Sequence, residues 1–137
     1  MKKVRPILIE AGIIQENQSF VLFNMGKKNN ILEGGLYTQQ VAICENNQII
    51  FVHFFGRGLI NRTYSIGQPI TIKLSQINRV IFEKKNGYLW LELMIDEDKV
   101  SLSLSRKEWK TEEVKQFVNC LKSEFNISNY ELYQKLK

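Results

Sequence analysis

Asn86-Gly87, flanked by alternating apolar and polar residues, constrains this chain more than any other dipeptide in it. Both central positions of a type I′ turn need positive φ, and Asn-Gly meets that need better than most pairs. A two-residue turn here pairs Phe82 with Leu91 and Val80 with Leu93. A second tight turn at Glu97-Asp98 then predicts Leu93 opposite Leu102 and Leu91 opposite Leu104. Most aliphatic residues of the three strands fall on one face, and Glu83, Trp90, Glu92, Ser101 and Ser103 fall on the other.

The same logic applies upstream. Asn46-Asn47 tolerates left-handed backbone and joins strands predicted over 37–44 and 48–55. Ile43 then faces Ile50 and Val41 faces Val52, while Ala42 with Phe51, Cys44 with Ile49 and Gln40 with His53 share the opposite face. Both faces are apolar, so the second is either covered by other chain or is a contact surface. Further strands are predicted over 19–25 and 70–74. Residues 55–67, including Gly56-Arg57-Gly58, read as the longest irregular stretch. Residues 6–14 are apolar without a clean period and fit a short helix or an edge strand.

After seven strands comes one convincing helix. Val114, Phe117, Val118, Leu121 and Phe125 form a single apolar stripe. Ser105 to Glu108 has the spacing of a capping box, with Leu104 and Trp109 as its staple. At about 100° per residue, however, a continuous helix would carry Trp109 away from that stripe. A break before Thr111 is therefore expected, with Thr111 as the new cap and the helix ending near Asn126.

At 137 residues the chain is read as one domain, with a core over 19–125, an N-terminal extension over 1–18 and a tail or short helix over 126–137. The fold class is mainly β (α+β): a seven-stranded antiparallel barrel or sandwich capped by one C-terminal amphipathic helix. Cys44 and Cys120 are too few and too far apart for a disulfide framework or a zinc site, and both are read as reduced and partly buried, with their pairing to each other as the alternative. Glu10 interrupts the apolar N-terminal stretch and no small-residue cleavage site follows, which argues against a secretory signal and for the cytoplasm. No apolar run is long enough for a transmembrane helix.

The run from Ile70 through Thr71, Ile72, Lys73 and Leu74 to Ser75-Gln76-Ile77 resembles bacterial pleckstrin-homology-like (PH or GRAM-type) domains. So do the hairpin Asn86-Gly87-Tyr88-Leu89-Trp90-Leu91 and the helix over 114–121. The resemblance spans about residues 19–125 and implies a PH-like barrel serving as a binding module. Eukaryotic members that bind phosphoinositides carry Lys-x(n)-Lys/Arg-x-Arg across their first two strands. Here Lys27 and Lys28 have no such continuation on 37–44.

Catalysis is not expected, and neither a cofactor nor a metal. His53 is the single histidine, and its register places it most of a strand from Cys44, too far for a nucleophile–base pair. Gly56-Arg57-Gly58 lacks the lysine and helix of a phosphate loop, and Asp96-Glu97-Asp98 lacks the further ligands of a calcium loop. Phe51 has no basic neighbour on its face except His53, which argues against nucleic acid. Two binding readings follow. One is a protein partner, or self-assembly, through the Ile49, Phe51, His53, Phe55 face. The other is anionic lipid, attracted by Lys27, Lys28, Arg57 and Arg62 in a chain of net charge +5.

Overall fold

The computed structural model describes residues 4–26, 31–32, 38–57, 63–122 and 125. Helix α1 (Val4–Glu10) is followed by strands β1 (Val21–Met25), β2 (Gln39–Glu45), β3 (Gln48–Arg57), β4 (Thr63–Ile66) and β5 (Ile70–Lys73). A 3-10 turn (Leu74–Gln76) leads to β6 (Arg79–Lys85), β7 (Tyr88–Ile95) and β8 (Asp98–Ser105). Helices α2 (Arg106–Trp109) and α3 (Glu112–Lys122) follow. The strands make one antiparallel sheet of eight, in the order β4-β3-β2-β1-β8-β7-β6, with β5 also on β3. The mainly β class with a C-terminal helix is as the sequence predicts. The sheet is an open path with two ends, and it holds one strand more than expected.

That extra strand is β4. It pairs with the end of β3, Gly56 opposite Tyr64 and Arg57 opposite Thr63, where a loop was expected. The long β3 thus serves two short strands along one edge, β4 at its end and β5 at its beginning.

Both asparagine turns form as read. Asn46 and Asn47 adopt φ of 53° and 60°, and Asn86 and Gly87 adopt 54° and 78°. Each predicted pairing of β2 with β3 and of β6 with β7 is present. The third turn differs. It sits at Asp96-Glu97, with Asp96 at φ 55°, so Leu93 faces Val100, Leu91 faces Leu102 and Leu89 faces Leu104. Moving the turn by one residue shifts the pairing by two, so every side chain keeps its face. The Asn78 side-chain oxygen accepts the Asp96 N–H and holds the turn there.

Two cores lie on the two faces of the sheet. The larger one, on the inner face, joins Val21, Phe23, Ala42, Ile49 and Phe51 with Phe82, Leu91, Leu102, Trp109 and the α3 stripe Val114, Phe117, Val118 and Leu121. The smaller one, on the outer face, sets Val4 and Leu8 of α1, with Ile14, on Leu22, Val41, Ile43, Val52 and Phe54. Residues 1–18 were expected as an extension; those from Val4 to Ile14 instead complete a core. A sheet buried on both sides explains why β2 and β3 read as nearly continuous apolar runs.

The helix break falls where the stripe geometry requires it. Glu108 accepts hydrogen bonds from the Ser105 N–H (3.0 Å) and hydroxyl (2.7 Å), closing the capping box of one-turn α2. Thr111 Oγ1 then donates to the Glu108 carbonyl at 2.9 Å, and α3 starts afresh. Asn126 lies outside the described residues. Cys44 of β2 and Cys120 of α3 are joined in a disulfide, with Cα atoms 6.0 Å apart. This corrects the reading of two reduced thiols: residues 76 apart in sequence meet because α3 lies over β2.

Candidate interaction surface

The face of β3 expected to be a contact surface is interior for half its length. Ile49 and Phe51 are 0% and 1% exposed, in the inner core with α3. They are therefore removed from any docking surface, because the segment that covers them is the chain's own second half. His53 and Phe55 continue the same face, half-buried, with their rings stacked at 4.8 Å. Arg57 ends β3 opposite Thr63. Lys27, Lys28 and Arg62 lie outside the described residues.

A cleft of about 780 Å³ opens between α1 and the start of α3, bordered by Arg5, Ile9, Glu10, Glu16, Phe20 and Glu113. Arg5 already serves the fold there. Its guanidinium donates to the carbonyls of Glu16 (3.0 Å) and Gln18 (2.7 Å) and lies 5.0 Å from the centre of the Phe20 ring. The arginine clamps the 15–18 turn rather than waiting for an anion.

The outer face changes character across the sheet. Its α1 side is apolar; at Gln39 and Asn24, joined by a 3.3 Å hydrogen bond, it becomes polar and continues through Ser103, Trp90 and Glu83. Glu92 and Lys99 form an ion pair at 3.1 Å on the same side. Tyr88, 44% exposed, leans on Trp90 with ring centres 6.4 Å apart.

These aromatics border the end of the sheet. Among the described residues β6 pairs with β7 alone, and no described strand pairs with the backbone N–H and C=O groups of its other edge. Arg79 and Glu83 are exposed and Ile81 is half-buried on the outer side of this strand, while Val80 and Phe82 point into the inner core. The chain matches no known protein family, curated protein or solved structure. Its own geometry must therefore carry the functional reading. The β6 edge was missed in the sequence because a strand's neighbours are not written in its residues. The signal available was its composition, alternating apolar residues bracketed by Arg79 and Glu83.

Proposed function

We propose that this chain is a non-catalytic, PH-like interaction module that recognises a protein partner, itself included, through the free edge of β6. One observation carries this reading. Among the described residues, the β6 edge combines backbone groups paired by no strand with a half-buried isoleucine, Ile81, between the exposed charges Arg79 and Glu83. Strand addition to such an edge draws affinity from main-chain hydrogen bonds and specificity from alternate side chains. The order of a β meander closed by a C-terminal helix supports the PH-like architecture. No observation favours the anionic-lipid alternative, since Lys27, Lys28 and Arg62 lie outside the described residues.

The disulfide favours an oxidising compartment over the cytoplasm expected from the sequence, because such bonds are rare in cytosolic proteins. Acid-quenched thiol labelling of the protein in its host separates the two: labelled Cys44 and Cys120 would place it in a reducing compartment.

A photo-reactive amino acid at Arg79 or Glu83, incorporated in the host cell, tests the interaction reading. A discrete protein adduct is expected from these positions and not from exposed Asn17, which lies beside Glu45 of β2. Absence of any adduct, or the same adducts from all three positions, would end the reading.

A further inference from the structure

We infer that the partner at the β6 edge is a second copy of this chain, paired antiparallel about a two-fold axis at Ile81. The inference rests on the interaction reading above and adds the partner and its register.

The Asn86-Gly87 turn decides which backbone groups are available. Lys85 and Tyr88 flank a two-residue turn and are hydrogen-bonded to each other. In an antiparallel pair hydrogen-bonded and non-hydrogen-bonded positions alternate. Glu83 and Ile81 therefore direct their N–H and C=O groups toward β7, whereas Val80, Phe82 and Lys84 direct theirs outward. Any added antiparallel strand must satisfy that second set.

Two copies related by a two-fold axis at Ile81 do so. Val80 of each copy faces Phe82 of the other, and each such pair exchanges two N–H to C=O hydrogen bonds. Ile81 faces Ile81 on the outer side. Arg79 faces Glu83, twice by symmetry, so each exposed charge meets its opposite. Moving the axis to Phe82 also satisfies the backbone, but it sets Arg79 against Lys85 and leaves Glu83 against Ile81. A one-residue offset between these two registers brings inner-face side chains opposite outer-face ones and mismatches the hydrogen bonds. Edge charges ordinarily block strand pairing; on β6 they oppose the Phe82 register and favour the Ile81 register. The contact is one strand pair, smaller than a standard interface, so the association is weak and concentration-dependent.

Ile81→Cys tests the axis directly. Both native cysteines are already in a disulfide, so the new thiol stands alone. Non-hydrogen-bonded antiparallel partners have Cα atoms about 4.5 Å apart, within disulfide reach. Under mild oxidation of the purified chain, Ile81→Cys should form covalent dimer about tenfold or more faster than Asn17→Cys. Adding Glu83→Arg should slow that reaction, and adding Arg79→Glu to the pair should restore it.

Should Ile81→Cys fold poorly, Arg79→Cys and Glu83→Cys provide a second measure. Each should remain monomeric alone, and the two should cross-link when mixed. Equal rates for Ile81→Cys and Asn17→Cys, charge changes without effect, or equal cross-linking of the Arg79→Cys and Glu83→Cys variants alone and mixed, would each overturn the two-fold pairing. If that pairing fails while photo-adducts from Arg79 reach a different protein, the homodimer is wrong and the interaction reading stands. If neither dimer nor adduct forms, both fall.

Discussion

Trp109 is where local and long-range demands on this chain meet. Its indole is 1% exposed, packs in the inner core and donates Nε1–H to the Leu104 carbonyl at 2.9 Å. Arg106 lies over the outer side of the ring, 6.0 Å from its centre. The residue therefore fills volume and also ties α2 to the Leu104 carbonyl near the end of β8. These two roles separate experimentally. Trp109→Phe keeps much of the apolar volume but removes this hydrogen bond, and should cost about 0.5–1.5 kcal/mol in urea unfolding. Trp109→Ala adds a cavity and should cost about 3–5 kcal/mol. A loss near zero in Trp109→Phe would show that the hydrogen bond contributes nothing, and equal losses in the two variants would show the same of the volume.

Among the elements, α3 depends most on a covalent tie. Its apolar stripe seats it on the inner core, and the Cys44–Cys120 disulfide fixes it to β2. Closing a loop of this length restricts the unfolded chain, so reduction should lower unfolding stability by about 2–5 kcal/mol. The loss should also appear as faster amide exchange in α3 than in the β6–β7 hairpin; uniform exchange would contradict the tether. How legible each element was depends on where its information resides. The turns at Asn46-Asn47 and Asn86-Gly87 carry their own backbone requirement, so both hairpins and their registers could be read. Asp96-Glu97 competes with Glu97-Asp98 on nearly equal terms, and only the distant Asn78 side chain decides between them. Strand β4 has four residues and follows a Gly-Arg-Gly sequence, so it shows no period of its own. Segment 4–10 is too short and too apolar to separate helix from strand. The Cys44–Cys120 pairing was left open because it depends on α3 crossing β2. The same blindness affected the candidate site: two apolar faces on β3 were evident, but what covers Ile49 and Phe51 was not.

For the whole molecule, the sheet divides into a β1–β5 portion covered on its outer face by α1 and a β6–β8 meander whose outer face carries Trp90, Glu92 and Ser103. Among the described residues, the short β1–β8 ladder alone connects them in the sheet: Asn24 opposite Ser103, Met25 opposite Leu102, and the Gly26 N–H donating to the Ser101 carbonyl at 2.8 Å. The fit at its end is close, because a Cβ on Gly26 would lie 2.5 Å from the Ser101 hydroxyl. This seam joins residues separated by most of the chain, whereas β6, β7 and β8 are joined by two-residue turns. Loop closure over long separations is slow relative to hairpin formation. The seam thus sets an order of events in time: the meander can assemble from local contacts, and β1 must then find β8. Pulse-labelled hydrogen exchange during refolding should protect β6–β7 amides before that of Gly26, and simultaneous protection would mean that the sheet forms in a single step.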